Sequence, residues 1–436
     1  MNTLNLENYW MPFTSNRAFK ADPRLITTAD GMYYTSLDGC RILDGSAGLW
    51  CVNAGHAHPK IVEAVSRGVR TLDFAPNFQY GHPHAFELSN RLADLFPERI
   101  NRFFFTNSGS DAVDSALKIA LAYQHARGKG TKTRLIGRER AYHGVGFGGI
   151  SVGGIARNRM DFGPLLPGVD HLRHTHDPVR NGYSRGEVAH GVELAEDLEK
   201  LVALHGASTI AAVIVEPVAG STGVLPPPKG YLRRLREICD EHDILLIFDE
   251  VITAFGRLGA ATAAEHFGVK PDLIVFAKAL TNGVIPMGGV GVNDGIYQTL
   301  IDVADTPIEL FHGYTYSGHP LAAVTALAVL DVHKTEGMYA RAADLSPYLA
   351  DAAHALRGLP YVIDIRTIGL IAAIELQPRP DDAGARTFDV MKKAWEKGLM
   401  VRITGDTLAI SPPLIVNKAQ IDQILDILAA AIREVA

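Results

Sequence analysis

Two polar residues that each follow a strongly apolar run are the first candidates for chemistry in this chain. Lys278 follows residues 273–277, and Asp249 follows residues 244–248. Burial lowers the pKa of an ammonium group, and a neutral amine is a nucleophile toward carbonyl carbons. A carboxylate in such a position can bind a metal, act as a general base or pair with a cationic heterocycle. Either residue alone is weak evidence, because most lysines lie at the surface with their stems over apolar neighbours.

A short loop of small residues provides a candidate anion site. Residues 107–110 (Asn-Ser-Gly-Ser) lie between a predicted strand at 102–106 and a predicted helix at 111–127. Free N–H groups and the helix dipole favour a phosphate there, although an ordinary helix cap explains the same residues equally well. Tyr142 follows a further predicted strand, and its ring could stack on a planar ligand.

Together these features describe a site for pyridoxal 5′-phosphate (PLP). The loop would bind the phosphate, and Tyr142 would stack on the ring. Asp249 would keep the pyridine nitrogen protonated, so that the ring acts as an electron sink, and Lys278 would form a Schiff base. No single feature is specific for PLP, but the occurrence of all four in one chain is a specific pattern.

The elements that must position these residues have an α/β pattern. Unbroken apolar strands are predicted at residues 133–136, 210–215, 244–248 and 273–277, with helical stretches such as 231–242 between some of them. This pattern indicates a mainly parallel sheet with helices on both faces. The carboxyl ends of parallel strands open into one ligand crevice. If the last two strands are neighbours, Asp249 and Lys278 meet in that crevice.

Segments of a different character flank this pattern. Residues 1–60 mix short strands with loops, and residues 319–436 combine helices with short strands, including one at 399–403. We expect a large cofactor-binding domain over residues 61–318 and a smaller α+β domain built from both termini. Residues 156–184, rich in Gly, Pro, His and Arg, are predicted to form a long irregular excursion.

The composition excludes several classes of function. The chain has 436 residues, 47% of them apolar, and a net charge of −6, which does not favour a nucleic-acid or anionic-membrane partner. Its three cysteines make neither a disulfide framework nor a metal pattern. No apolar run approaches the roughly 18 residues needed to cross a bilayer, and the first residues lack the order of a signal peptide. We therefore expect a cytoplasmic enzyme without a metal.

Three other patterns suggest different chemistry and are set aside. Residues 144–149 match G-x-G-x-x-G, but no strand directly precedes them and no acidic residue ends a second strand about 20 residues later. Residues 149–153 match G-x-S-x-G, again without a preceding strand. His171, His174 and His176 have no Cys or carboxylate partner at metal spacing. A nucleotide-dependent oxidoreductase is the alternative that residues 144–149 would support.

The chain resembles the class III (ω-) aminotransferases of PLP fold type I over nearly its full length. The motifs that carry the resemblance are Gly48-Leu-Trp50, Thr106-Asn-Ser-Gly-Ser-Asp111, Ala141-Tyr-His-Gly144, Val215-Glu-Pro217, Phe248-Asp-Glu-Val-Ile252, Phe276-Ala-Lys-Ala279 and Phe311-His-Gly-Tyr-Thr-Tyr-Ser-Gly-His-Pro320. Within the class it is most similar to the ω-amino acid–pyruvate (β-alanine–pyruvate) branch, through Trp10-Met-Pro-Phe-Thr14, Phe78-Gln-Tyr-Gly-His-Pro83 and Val401-Arg-Ile-Thr-Gly-Asp-Thr-Leu408.

The resemblance implies how the cofactor is held. Lys278 forms the Schiff base and moves the proton between Cα and C4′. Asp249 pairs with the pyridinium nitrogen, and the ring lies between Val251 and Tyr142. The phosphate is held by the loop residues Ser108, Gly109 and Ser110.

The resemblance also implies a shared active site and a substrate pocket. Thr315 reaches the phosphate bound by the partner subunit, which implies a homodimer or a homotetramer. Arg402 pairs with the substrate carboxylate, for which a planar guanidinium is suited. Trp50 forms a wall of the pocket near the substrate.

The implied reaction is a ping-pong transamination in which an ω-amino acid or a primary amine gives its nitrogen to pyruvate. The products are alanine and an aldehyde or ketone. Ser221 stands where ornithine- and γ-aminobutyrate-type members carry a glutamate, which favours pyruvate over 2-oxoglutarate. Ala409 stands where β-alanine–pyruvate relatives carry a glutamine. Alternatives of the same fold are a member with a different donor and acceptor, an aminomutase and a racemase.

Overall fold

The computed structural model describes residues 4–436, and every element named below lies in that range. The strands, numbered in chain order, are β1 Ile26–Asp30, β2 Tyr33–Ser36, β3 Arg41–Asp44, β4 Ile100–Thr106, β5 Arg134–Arg138, β6 Val169–Leu172, β7 Ile210–Val215, β8 Leu245–Asp249, β9 Leu273–Phe276, β10 Gly288–Asn293, β11 Val362–Ile368, β12 Ile371–Leu376, β13 Leu399–Met400, β14 Arg402–Thr404 and β15 Thr407–Ile410.

The helices are numbered in the same way. They are α1 Asn16–Ala21, α2 Ala47–Trp50, α3 Pro59–Thr71, α4 Pro83–Leu95, α5 Gly109–Ala126, α6 Phe147–Val152, α7 Pro178–Asn181, α8 Asp197–His205, α9 Tyr231–Glu241, α10 Ala263–Phe267, α11 Asp294–Val303, α12 Pro320–Thr335, α13 Met338–His354, α14 Ala385–Glu396 and α15 Lys418–Val435. Short 3₁₀ turns occur at Ala156–Asn158, Val192–Glu196, Ala207–Thr209 and Lys278–Thr281.

A seven-stranded sheet in the order β4-β10-β9-β8-β7-β5-β6 forms the centre of the described chain. The strands from β6 across to β9 are parallel to their neighbours, whereas β10 is antiparallel to both β9 and β4. The predicted α/β fold with a mainly parallel sheet is therefore confirmed. Strands β8 and β9 are neighbours, with Asp249 opposite Val275. The two strand ends that carry Asp249 and Lys278 consequently lie at the same edge of the sheet.

The apolar strands are unbroken because helices cover both faces of the sheet. Leu246 and Phe248 of β8 pack into one core, which α9 and α12 complete. Leu245 and Ile247 pack into the other, with α5 and α11. Successive side chains of a strand point to opposite faces, so both faces must be apolar when both are covered. Full burial of each such side chain contributes about 1.5–3 kcal/mol.

Two smaller sheets accompany the central one. In the order β1-β2-β3-β13, the C-terminal strand β13 runs parallel to β3, with Leu399 opposite Leu43. The other sheet, β11-β12-β15-β14, is antiparallel. Strands from both ends of the chain thus share a sheet, although the domain boundaries proposed at residues 60 and 318 remain predictions.

Several elements differ from the sequence-based expectations. Residues 399–403 form two strands, β13 and β14, which belong to different sheets. Residues 156–184 contain an edge strand, β6, whose polar Asp170 and His171 conceal the apolar pattern. Strand β10 was not among the predicted strands, because it is rich in glycine, which ordinarily disfavours strands. The packing requires glycine there, because a Cβ on Gly289 would lie 2.6 Å from the Phe276 ring.

Within the part of the chain that the structure describes, each helix is too short or too polar to cross a lipid bilayer.

Candidate active site

Lys278 begins a tight turn directly after β9. Its backbone has φ of 47°, a left-handed conformation that non-glycine residues rarely adopt. Asn282 ends the turn and anchors it, because its side chain donates to Gly55 O at 2.8 Å and accepts from Ala54 N at 2.8 Å. Burial lowers the pKa of the Lys278 ammonium, whereas the nearby Asp249 carboxylate acts in the opposite direction. A lowered pKa increases the fraction of neutral, nucleophilic amine.

Asp249 ends β8 and is held at both carboxylate oxygens. Its Oδ2 lies 2.8 Å from His143 Nδ1, and its Oδ1 accepts a hydrogen bond from Val251 N at 3.1 Å. Both Asp249 and His143 are buried. The other ring nitrogen of His143 is also buried and contacts no hydrogen-bond partner in residues 4–436. The carboxylate therefore has a fixed orientation in the wall of a cavity.

The N-terminus of α5 forms another wall of the same cavity. The Ser108 hydroxyl caps the helix by accepting from Asp111 N at 3.1 Å, so that Gly109 and Ser110 are its first residues. The Ser110 hydroxyl accepts from Val145 N at 3.1 Å. Gly144 has φ of 85°, and a Cβ there would lie 2.5 Å from Ser110 Oγ. Glycine is thus required for this close approach. Gly109 and Ser110 line the cavity, so the N-terminus of the helix faces it and could bind an anion there.

These walls enclose a cavity of about 140 Å³. Its lining residues are Gly109, Ser110, Val113, Tyr142, His143, Gly144, Glu216, Val218, Asp249, Val251, Ile252 and Lys278. The cavity therefore brings together Lys278 and five residues that the sequence predicted to hold the cofactor: Gly109, Ser110, Tyr142, Asp249 and Val251.

The other predicted site residues lie outside this lining. The Ser108 hydroxyl instead caps α5 by accepting the hydrogen bond from Asp111 N. Thr315 is exposed in the segment between α11 and α12, away from the cavity of its own chain. Trp50 is buried in the cluster that contains Val218 and Ile252, which line the cavity.

Arg402 lies in β14, near the cavity. Burial lowers the pKa of its guanidinium, and the ionisable neighbour that acts on it is the Tyr142 hydroxyl rather than a carboxylate. Arg402 in turn acts on the pKa of Lys278. The guanidinium is thus within electrostatic range of both Tyr142 and Lys278.

The sequence-based reasoning missed two buried polar residues of the cavity wall, His143 and Glu216. Glu216 follows β7 as closely as Asp249 ends β8, so its position at a strand end was a usable signal. His143 gave no comparable signal, because its contact with Asp249 depends on the fold. Burial raises the pKa of the Glu216 carboxyl to about 6.

Comparison with known proteins identifies the family. The family model for class-III aminotransferases matches residues 14–432. The chain belongs to the class-III aminotransferases. An omega-aminotransferase of Caulobacter vibrioides is 58% identical, with 99% of this chain and 98% of that protein covered. A beta-alanine–pyruvate aminotransferase of Pseudomonas aeruginosa is 48% identical, with 99% and 97% covered.

Solved structures agree with this assignment. A PLP-bound amine transaminase from an uncultivated Pseudomonas species superposes with a TM-score of 0.92 at 36% identity, covering 99% of this chain and all of that one (100%). An omega transaminase of Pseudomonas jessenii in complex with PMP also gives 0.92, at 32% identity, covering 98% of this chain and 96% of that one. The predicted family, fold, enzyme class and cofactor are therefore confirmed.

The residues of this aminotransferase fit PLP chemically. The open helix N-terminus of α5 offers N–H groups to a phosphate. Gly109 leaves room beside Val251, because a Cβ on it would lie 3.0 Å from Val251 Cγ2. Buried Asp249 offers a carboxylate, and Lys278 an amine, at the same cavity.

Proposed function

We propose that this aminotransferase moves an amino group from an ω-amino acid such as β-alanine, or from a primary amine, to pyruvate. The observation that carries the proposal is the meeting of Lys278, Asp249 and the α5 N-terminus in one cavity. The full-length similarity to proteins named omega-aminotransferase and beta-alanine–pyruvate aminotransferase supports the choice of substrates. Alanine and an aldehyde or ketone would be the products.

Different residues of the cavity would bind different parts of the cofactor. Gly109 and Ser110 would bind its phosphate at the start of α5, and Ser108 would keep that helix end in shape. Tyr142 and Val251, both in the cavity wall, would enclose the ring. Asp249, oriented by His143, would bind the ring nitrogen. When bound, PLP supplies an electron sink for the charge left at Cα after a proton is removed.

Lys278 is the proposed general base and acid. Its neutral amine would remove the proton from the substrate Cα, and the resulting ammonium would deliver it to C4′ of the cofactor, two bonds away across the transferred nitrogen. Burial favours the neutral form, and its place at the start of a short, anchored turn limits its motion. In both halves of the ping-pong reaction the same lysine would act.

Arg402 and Trp50 are the proposed substrate-binding residues. Arg402 would bind the carboxylate of the donor and of pyruvate through two parallel hydrogen bonds. Trp50, packed with Val218 and Ile252, would form a fixed apolar wall. Ser221 places no negative charge in the segment after Glu216, which supports alanine and pyruvate rather than glutamate and 2-oxoglutarate as the exchange pair.

We also propose a homodimer with shared active sites, which would bring Thr315 to the phosphate of the partner. Exposed aromatic side chains form a patch over residues 74–86 and 308–316 of one chain. Phe74 and Tyr316 contact each other within it, at 6.0 Å between ring centroids, and Phe311 is 90% exposed. Such a contiguous apolar patch is typical of a subunit interface. The three free cysteines support a reducing, cytoplasmic location.

The experiment that tests the function is a donor panel against three acceptors. Purified enzyme with PLP is incubated with β-alanine, a longer ω-amino acid, a diamine or an aromatic amine, and with pyruvate, 2-oxoglutarate or glyoxylate. Alanine from pyruvate should exceed glutamate from 2-oxoglutarate with at least one donor. If no donor yields alanine, or if glutamate forms faster, the proposed exchange pair is wrong.

A further inference from the structure

Glu216 joins two separate segments of the cavity wall. Its Oε1 accepts a hydrogen bond from Tyr142 N at 2.9 Å, and its Oε2 accepts one from Gly220 N at 3.2 Å. The side chain is buried, and Glu216 itself lines the cavity. One carboxylate thus spans the gap between the segment that carries Tyr142 and the turn that begins at Val218.

The far side of that turn is held by two arginines. Arg140 donates to Thr222 O at 3.0 Å, and Arg366 donates to Gly223 O at 2.7 Å and to Val224 O at 3.2 Å. Arg366 is fixed in turn by ion pairs with two carboxylates. Residues 222–224 therefore have a firm anchor, and backbone hydrogen bonds between Ala219 and Leu225 close the turn at its base. The bond from Gly220 N to Glu216 is the contact that ties the near side of the turn to the segment that carries Tyr142.

We propose that Glu216 is a positioning residue that sets the spacing between Tyr142 and the turn at residues 218–221, and thereby the fit of the substrates. It acts through these two segments and takes no part in proton transfer. The predicted effect of Glu216 on substrate binding rests on the proposed function. The predicted effect of Glu216 on the Tyr142 and Gly220 N–H groups is independent of it.

The charge state of Glu216 makes the arrangement sensitive to pH. Burial is the main cause that raises its pKa to about 6, and Asp249 acts in the same direction. His143, Arg138 and the Tyr142 N–H oppose this, and Lys278 lies within electrostatic range. Each oxygen of the carboxylate accepts one N–H group. Protonation places an O–H on one of these oxygens and weakens one of the two bonds.

The test compares Glu216→Gln with Glu250→Gln in the PLP-loaded enzyme. Glu250 is a matched control, because it is also a buried carboxylate that accepts two backbone N–H groups, from Ala263 and Ala264, but it does not line the cavity. Hydrogen–deuterium exchange is measured at the amides of Tyr142 and Gly220. KM and kcat are measured for the donor and for pyruvate from pH 5 to pH 8.

The proposal predicts faster exchange at Tyr142, Gly220 or both in Glu216→Gln, and unchanged exchange at both in Glu250→Gln. KM for a substrate should rise roughly three- to tenfold, the effect of one lost hydrogen bond, with a smaller change in kcat. The wild-type KM should rise below about pH 6, and that rise should be absent in Glu216→Gln. Unchanged exchange at both amides would overturn the proposal.

The kinetic and exchange measurements separate this inference from the proposed function. Altered exchange with unchanged KM would show that Glu216 holds the two segments but does not set substrate fit, which contradicts the proposal. If the wild-type enzyme transfers no amino group to pyruvate, the proposed function fails, whereas the exchange experiment still decides whether Glu216 positions Tyr142 and Gly220.

Discussion

His143 Nδ1 lies 2.8 Å from Asp249 Oδ2, and both side chains are buried at the carboxyl edge of the central sheet. Since a carboxylate can only accept a hydrogen bond, His143 is the donor of this pair. The opposite oxygen of Asp249 accepts from Val251 N. The carboxylate that faces the cavity is therefore oriented from both sides, before any ligand binds to it.

Substitution of His143 should impair catalysis without removing any of the proposed reacting groups. We expect His143→Phe to lower kcat/KM about 10- to 100-fold, because a hydrogen bond to a charged group contributes about 1.5–3 kcal/mol. The variant should also shift the pH titration of the visible absorbance of the bound cofactor. His190→Asn, at an exposed position, is the control. Equal absorbance titrations in all three proteins would contradict this role for His143.

Removal of the lysine amine should abolish most of the activity. We expect Lys278→Ala to lower kcat by a factor of at least about 10²–10⁴, the usual contribution of a general acid–base group. The measurement is single-turnover alanine formation from pyruvate. Lys270→Ala is a suitable control, because Lys270 is exposed and pairs with Glu98 at the surface. Substantial turnover by Lys278→Ala would refute the mechanism.

The role of Arg402 can be separated by substrate. In Arg402→Gln, KM for β-alanine and pyruvate should rise about 10- to 100-fold, because a charge-assisted pair is lost. KM for a donor without a carboxylate, such as an aromatic amine, should change far less. Arg433→Gln, at an exposed position of α15, is the control. A similar rise in KM for both kinds of donor would indicate a structural role instead.

The buried carboxyl group of Glu250 should make stability depend on pH. Burial raises its pKa from an ordinary 4.5 to about 7. The folded protein thus binds the proton more tightly than the unfolded chain. This stabilisation is complete below about pH 4.5 and is lost as the pH rises to about 7.

Glu250→Gln removes this dependence. From pH 5 to pH 7.5 the wild type should lose about 2–3 kcal/mol of unfolding free energy more than the variant does. Denaturant unfolding of both proteins with the same cofactor loading is the measurement. Parallel curves for the two proteins would show that Glu250 does not titrate in this range.

The exposed aromatic patch should determine the oligomeric state. We expect Phe311→Arg to weaken subunit association, because it places a charge where an apolar side chain is 90% exposed in the single chain. Sedimentation velocity over a range of concentrations would detect the monomer. Val179→Arg, at a position 93% exposed outside the patch, should leave association unchanged. A wild-type protein that is monomeric at every concentration would exclude the shared active site.

Strand ends were readable from the sequence, whereas contacts between distant segments were not. Lys278 and Asp249 follow apolar runs, and such runs predict buried strands whichever way the chain later folds. The neighbouring positions of β8 and β9 then bring both residues to one cavity. The contact of His143 with Asp249 has no local pattern, because the two residues approach only after β5 and β8 have joined the same sheet.

Other features that the sequence did not predict have physical causes of the same kind. Tertiary packing selects a glycine-rich strand at β10, against the intrinsic preference of its residues. Residues 399–404 contain no turn signal that separates β13 from β14, and only the choice of partner strand divides them. Glu216 could have been found as a strand-end acid. Its two N–H partners, however, lie in a separate segment and in a turn that no periodicity describes.

The parallel pairing of β3 with β13 has a consequence for biosynthesis. Leu43 leaves the ribosome early, but its partner Leu399 is made roughly 350 residues later, on the order of 20–70 s at ordinary rates of translation. During that interval the first three strands lack their C-terminal neighbour, and their apolar side chains are available to chaperones. Since pairings between distant segments also form slowly after synthesis, this small sheet should mature late in the folding of the enzyme.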